Sequence, residues 1–148
     1  MRQSKVEIYL HYIWTTHNRL PVITSERERT VYRCIVQEAE KLECVLCALG
    51  GIEDHVHLLL KIPSKHAPAY IIKQIKAVSS RFLHDAFPET EGLFWQEGYG
   101  VFSVTPGQRQ AVIDYIQNQK QHHANGTTHP RWEATDEEYI PKPIERSG

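Results

Sequence analysis

Two hydrophobic patterns alternate along the chain and predict its elements. Apolar and polar residues alternate singly in 6–14, as in a half-buried strand, whereas 26–43 has the three-to-four-residue repeat of a helix. These patterns predict strands at Val6–Trp14, Cys44–Ile52, His55–Ile62 and Gly100–Val104, and helices at Glu26–Glu43, Ala69–Ala86 and Thr105–His123. The order predicts an α+β, ferredoxin-like (RRM-like) fold: a βαββαβ antiparallel sheet with an additional C-terminal helix.

Helix-capping signals support two of these boundaries. Ser25 and Glu28 have the spacing of a capping box. Thr105, followed by Pro106 and Gln108, favours the start of the third helix.

The composition fits one folded domain followed by a tail. A chain of 148 residues with 41% hydrophobic content can bury a real core. Residues 125–148 are polar and contain several prolines, with at most a short helical turn after Thr135. We therefore expect a domain at 1–124 and a tail at 125–148.

Other features bear on localisation and cysteine chemistry. No apolar run approaches 18 residues and no leader pattern is present, so we expect a cytoplasmic protein without membrane contact. Three cysteines suit reduced thiols. Cys44 and Cys47 would face opposite sides of a strand, which argues against a zinc site.

A pair of histidines in the third strand is the first candidate for chemistry. Residues two apart on a strand point to the same side, so His55 and His57 would stand together, opposite Val56 and Leu58. Two imidazoles at this spacing can bind one divalent metal ion. The alternative is a pair of ordinary half-buried strand histidines.

The third helix adds a second candidate group. Tyr115 and Gln119 are four residues apart and share a helix face. If this helix docks on the sheet face opposite the other two helices, it brings the phenol and the amide to His55 and His57. A His-hydrophobic-His strand followed by a Tyr-x-x-x-Gln helix resembles the single-tyrosine HUH transposases of small insertion sequences and their REP-associated relatives. The resemblance covers roughly residues 6–123.

The resemblance implies a specific reaction. Tyr115 would be the nucleophile, and His55, His57 and Gln119 would hold Mg²⁺ or Mn²⁺ near the phosphate. The substrate would be single-stranded DNA next to a hairpin, cleaved through a 5′-phosphotyrosine intermediate and rejoined to a new strand. One nucleophile per chain implies a homodimer, in which the tyrosine helix can serve the partner's histidines.

Several residues are candidates for DNA contacts, although the net charge of −1 does not itself indicate a nucleic-acid partner. Basic side chains would bind phosphates, and an aromatic ring could stack on a base. The candidates are Arg19, Lys73, Lys76, Arg81, Tyr99, His122 and His123. Each has a simpler alternative, namely solvation for the basic side chains, packing for Tyr99 and a helix-end position for the two histidines.

Two other functions compete with the transposase hypothesis. A ferredoxin-like protein could bind single-stranded nucleic acid or a hairpin without catalysis, but plain binding does not need the four candidate site residues together. The histidine pair also resembles part of the His-x-His-x-His pattern of nucleotide hydrolases. Leu59 occupies the third position of that pattern, which argues against a hydrolase.

Overall fold

The computed structural model describes residues 4–90 and 94–135. Strands and helices follow one another here in the predicted order, and the C-terminal helical region is split in two. The bounds are β1 Ile8–Thr15, α1 Ser25–Lys41, β2 Val45–Ile52, β3 His55–Ile62, α2 Pro68–Ala86, β4 Gly100–Val104, α3 Arg109–Gln117 and α4 Gln119–Asn125. Within these ranges no helix is long and apolar enough to cross a membrane.

The strands form one antiparallel sheet in the order β2-β3-β1-β4. β1 and β3 are the central pair, and His57 of β3 lies opposite Ile13 of β1 and Gly50 of β2. This topology confirms the predicted ferredoxin-like fold.

The main core lies between one face of the sheet and helices α1 and α2. It takes alternate residues of the two central strands: Leu10, Tyr12 and Trp14 from β1, and Val56, Leu58 and Leu60 from β3. Fully burying one such aliphatic side chain stabilises the fold by about 1.5–3 kcal/mol. Because successive strand residues point to opposite faces, this core directs His55 and His57 to the other side of the sheet.

Helix α3 covers that other face. A second apolar cluster joins it to the sheet and contains Tyr9, Ala48, Leu59, Val104, Val112 and Ile116. The helix backbone approaches β2 most closely at Gly50, where an added Cβ would collide with the carbonyl oxygen of Ile116. A glycine in β2 therefore permits the close docking that holds Tyr115 over the sheet.

The two predicted helix starts have different outcomes. Thr105 and Gln108 form the predicted capping box. The capping box predicted at Ser25 is wrong, because Thr24 is the N-cap residue and makes no side-chain cap bond. The backbone N–H groups of Arg27 and Glu28 already donate to the carbonyl oxygen of Thr24, so Ser25 lies inside the helix.

The predicted third helix is interrupted at Asn118, which separates α3 from α4. Asn118 has φ −105° and ψ 23°, outside the helical region. Its side-chain Nδ2 donates to the carbonyl oxygen of Asp114 at 2.8 Å, a local bond that competes with regular helix geometry. The predicted proximity of Tyr115 and Gln119 survives the break, since Gln119 Nε2 donates to the Tyr115 carbonyl oxygen at 3.3 Å.

The segment after α4 returns to the sheet. Gly126 ends α4 in the left-handed conformation with φ 65°, and a 3-10 turn follows at Pro130–Glu133. The carbonyl oxygen of Ala134 lies so close to β4 that it would collide with a Cβ at Gly100. Residues up to 135 therefore pack on the domain, whereas the helical turn predicted after Thr135 lies outside the described residues.

Candidate active site

His55 and His57 are buried on the sheet face that α3 covers, with relative exposures of 1% and 0%. His55 Nδ1 lies 2.7 Å from a carboxylate oxygen of Asp54, and its Nε2 lies 3.2 Å from Gln119 Oε1. The Asp54 contact orients the ring so that Nε2 points toward α4. The structure thus brings together His55, His57 and Gln119, as the local sequence patterns predicted.

His57 has a different pair of partners. Its Nδ1 lies 2.8 Å from Nε2 of His11, a buried histidine on β1. Its Nε2 lies 3.0 Å from Glu133 Oε2, and His55 Nε2 lies 3.4 Å from the same oxygen. One carboxylate oxygen of Glu133 is therefore shared by both imidazoles.

Tyr115 is the third functional group of the site. Its hydroxyl donates to Glu133 Oε1 at 2.5 Å and accepts a bond from the backbone N–H of His129 at 2.9 Å. Its ring contacts that of His57 edge-on, with the centroids 5.7 Å apart, and that of Trp132, 5.0 Å away. The phenol is held beside the histidines of the same chain by the turn that follows α4.

The donor atoms suit a divalent metal ion. One ligand atom each from His55, His57 and Glu133 lies within 4.8 Å of the others, and the Gln119 amide oxygen is next to His55 Nε2. Two imidazole nitrogens with carboxylate and amide oxygens form a mixed set that suits Mn²⁺ and tolerates Mg²⁺. The Glu133 carboxylate therefore joins His55, His57 and Gln119 as a candidate metal ligand.

Burial and hydrogen bonding set the protonation of these groups. Burial lowers the pKa of His57, and it lowers that of His11 to about 3, so both rings are neutral at pH 7. Burial alone would raise the pKa of Glu133, but bonds from His57 and Tyr115 outweigh it and lower the pKa to about 2. Burial and the bond to Glu133 raise the pKa of Tyr115 to about 12, so the phenol stays protonated.

Comparison with known proteins assigns a family to this arrangement. Residues 4–119 match the family model described as IS200-like transposases. The chain belongs to the IS200-like transposases. Among individual members, the transposase for insertion sequence element IS200 of Salmonella typhimurium is 30% identical over 120 residues, covering 74% of each chain. The ISDra2 transposase TnpA of Deinococcus radiodurans is 25% identical over 127 residues, covering 80% of this chain and 91% of that protein.

Solved structures of similar proteins share the fold of this IS200-like transposase. A crystal structure described as a transposase from Deinococcus radiodurans R1 superposes with a TM-score of 0.66 and 28% identity, covering 80% of this chain and 98% of that one. A REP-associated tyrosine transposase bound to a REP hairpin gives a TM-score of 0.62 at 14% identity, covering 86% of this chain and 74% of that one. This second likeness supports the fold alone.

Three of the candidate DNA-binding residues of this transposase lie next to the site. Arg19 Nη1 is 3.9 Å from the Asp54 carboxylate that orients His55. The His123 ring lies 4.7 Å from that of His55, and the His122 ring stacks on Tyr115 at 4.8 Å. These three side chains are neighbours of the candidate metal ligands and of Tyr115.

The other four candidates lie away from the histidines. Lys73, Lys76 and Arg81 are on α2, which covers the opposite face of the sheet. The Lys76 ammonium donates to the carbonyl oxygens of Gln96 and Gly98 at 2.8 and 2.6 Å. The Tyr99 ring lies 6.4 Å from that of Tyr12 and packs against the main core. Lys76 thus ties α2 to the segment before β4, and Tyr99 has a packing contact.

Three residues of the site were missed in the sequence, namely Asp54, Glu133 and His11. Glu133 lies in an irregular segment, where no periodicity relates it to the histidines. His11 could have been found, since the alternation in β1 places it on the face away from the main core, and β1 is the neighbour of β3 in this fold. What the sequence did not supply was the strand register, which makes His11 a diagonal neighbour of His57.

Proposed function

We propose that this transposase cleaves and rejoins single-stranded DNA beside a hairpin through a covalent bond to Tyr115. The observation that carries this proposal is the direct contact of the Tyr115 hydroxyl with a carboxylate that also bonds the histidine pair. A nucleophile, a proton acceptor and a set of metal ligands are therefore within one group of contacts. Binding alone does not require that combination.

The proposed reaction exchanges one phosphodiester bond for another. The Tyr115 oxygen forms a bond to phosphorus while the bond from phosphorus to the 3′ oxygen breaks. The phenolic proton passes to Glu133 Oε1 as the bond to phosphorus forms, and it is then relayed through water to the departing 3′ oxygen, which leaves Glu133 as a carboxylate again. The products are a 5′-phosphotyrosine and a free 3′-hydroxyl, and attack by another 3′-hydroxyl reverses the step on a new strand.

Electrostatic help at the phosphate would come from a bound metal ion. His55, His57, Glu133 and Gln119 would hold Mg²⁺ or Mn²⁺, which would stabilise negative charge on the phosphate oxygens. The buried site keeps its donors fixed before the substrate arrives, so little reorganisation is needed during the reaction.

The DNA partner would contact the protein around this group. We expect Arg19, His122 and His123 to contact phosphates close to the cleaved bond, and Lys73 and Arg81 to contact a more distant part of the hairpin. Lys76 and Tyr99 would contact DNA only by giving up their carbonyl and core contacts. A REP hairpin is the ligand of one structurally similar transposase, and by analogy we propose a hairpin as the ligand here. Two chains would be needed for strand exchange, since each supplies one tyrosine.

The test is covalent capture of labelled hairpin oligonucleotides from DNA flanking the gene. With Mn²⁺ we expect a protease-sensitive adduct on a denaturing gel, lost on chelation and in Tyr115→Phe, while hairpin binding remains. Tyr70→Phe is the matched control, because Tyr70 is an exposed tyrosine on α2, and it should form the adduct normally. An adduct that persists in Tyr115→Phe would identify a different nucleophile, and a bound but never cleaved hairpin would favour a binding protein.

A further inference from the structure

His11 is a buried histidine with one strong contact and no function in the reaction proposed above. It lies on β1, opposite Leu59 of β3, and is therefore a diagonal neighbour of His57 on the same sheet face. Its ring is fully buried, with the Phe102 and Trp132 rings 6.2 and 6.0 Å away. Nε2 lies 2.8 Å from His57 Nδ1, while Nδ1 of His11 has no hydrogen-bond partner among the described residues.

The bond between the two rings decides which nitrogen of His57 is free. A neutral imidazole carries its proton on one nitrogen and a lone pair on the other. His57 Nε2 faces Glu133, so it is the nitrogen that would bind a metal ion, and the proton must then sit on Nδ1. A proton on Nδ1 needs an acceptor, and the adjacent atom is His11 Nε2.

We propose that His11 is the positioning residue that holds His57 in its metal-binding tautomer by accepting a hydrogen bond from Nδ1. This inference rests on the metal site of the proposed function. His55 is held in the more usual way, by the carboxylate of Asp54. A carboxylate is always an acceptor, whereas His11 accepts at Nε2 only when its own proton is on Nδ1.

The two tautomers are therefore coupled. If the His57 proton is on Nε2, where it faces Glu133, His57 Nδ1 can only accept, and His11 Nε2 must then carry a proton. If a metal ion is bound at His57 Nε2, the proton is on Nδ1, and His11 Nε2 must be the acceptor, with the His11 proton on its own Nδ1. A variant without an acceptor at this position would leave the buried His57 Nδ1–H unpaired in the metal-bound state.

The experiment compares three variants of the full-length protein by Mn²⁺ titration with electron paramagnetic resonance. His11→Phe keeps a flat ring but removes the acceptor. His11→Gln restores one, because its amide oxygen reaches about the position of Nε2. Tyr9→Phe is the control, since it removes a hydroxyl from the same face of β1, two residues away from the bond to His57.

We expect His11→Phe to weaken Mn²⁺ binding about 10–100-fold, with His11→Gln and Tyr9→Phe close to the unmodified protein. In all three variants, the unfolding temperature and the affinity for a hairpin in the absence of metal should stay close to those of the unmodified protein. Equal Mn²⁺ affinity in a folded His11→Phe variant would overturn the assignment. Equal losses of Mn²⁺ affinity in His11→Phe and His11→Gln would also overturn it, because they would mean that His11 acts through packing and not as a hydrogen-bond acceptor. If the unmodified protein binds no Mn²⁺, the metal site itself fails and the assignment fails with it.

A spectroscopic readout separates positioning from packing directly. Nitrogen-15 NMR of the histidine rings distinguishes Nδ1–H from Nε2–H tautomers. Adding diamagnetic Mg²⁺ or Zn²⁺ should move the protons of both His57 and His11 to Nδ1. A His11 tautomer that does not respond while His57 binds the metal ion would overturn the coupling.

Discussion

Glu133 connects Tyr115 to the histidines, because its two carboxylate oxygens have different partners. Oε1 accepts from Tyr115 at 2.5 Å, and Oε2 lies 3.0 Å from His57 Nε2. The same side chain can therefore ligate a metal ion and receive the phenolic proton. We predict that Glu133→Gln weakens Mn²⁺ binding and, at saturating Mn²⁺, still slows adduct formation by about 10²-fold, the low end of the contribution of a general base, because the low pKa of Glu133 makes it a weak one.

The measurement is the rate of adduct formation at increasing Mn²⁺ concentration. Glu53→Gln is the matched control, since Glu53 is an exposed carboxylate between β2 and β3, and its rate should equal that of the unmodified protein. A Glu133→Gln rate that recovers fully at high Mn²⁺ would leave Glu133 as a metal ligand and exclude it as the proton acceptor.

The proximity of candidate site residues was predictable where a local rule relates them. Strand alternation places His55 beside His57, and helical spacing places Tyr115 beside Gln119. Glu133 is 76 residues from His57 in sequence and reaches it only through the path of the chain after α4. A polar segment that contains proline has no sequence pattern from which such a contact could be predicted.

The position of α3 controls where Tyr115 lies, and Gly50 controls how closely α3 can dock. A methyl group at residue 50 would meet the backbone of Ile116, which cannot rotate away as a side chain would. We predict that Gly50→Ala destabilises the protein by about 1–3 kcal/mol, the usual cost of overpacking, and reduces adduct formation. Urea unfolding and the adduct assay provide the two measurements.

Gly107 supplies the control for this glycine substitution. It lies in the turn before α3, and an added Cβ would have no atom within 4 Å. We expect Gly107→Ala to change the free energy of unfolding by no more than about 0.5 kcal/mol. If Gly50→Ala behaves in the same way, the close approach of α3 to β2 is not what positions Tyr115.

Strands and helices were predictable where the hydrophobic pattern is clear and turn residues mark its ends. The bounds of β3 and β4 match the prediction, because turn residues or prolines flank clear apolar runs. The split between α3 and α4 was missed, since Asn118 is tolerated in helices and its break depends on one side-chain bond to Asp114. The turn at Pro130–Glu133 was also missed, because it depends on tertiary contacts with Tyr115 and β4.

At the scale of the whole molecule, positive and negative charges nearly cancel. The chain has 17 basic Lys and Arg residues against 18 acidic ones, so affinity for DNA must come from local groups. Arg19 lies beside the histidines, whereas Lys73 and Arg81 are exposed on α2, across the sheet. DNA that touched both groups would have to extend around the sheet from one face to the other.

Tyr115 and the candidate metal ligands lie together within one chain, and this affects what the proposed dimer can do. Tyr115 and His57 are joined through Glu133, and α3 is packed on the sheet of its own chain at Gly50. We predict that an equimolar mixture of Tyr115→Phe and His57→Ala forms no adduct, because every site in the mixture lacks either the nucleophile or a metal ligand. Each variant mixed with the unmodified protein serves as the control and should retain the adduct of the unmodified chains. Adduct formation in the mixture of the two variants would instead mean that the tyrosine of one chain reaches the histidines of another, which would require α3 to leave the β2 surface during assembly.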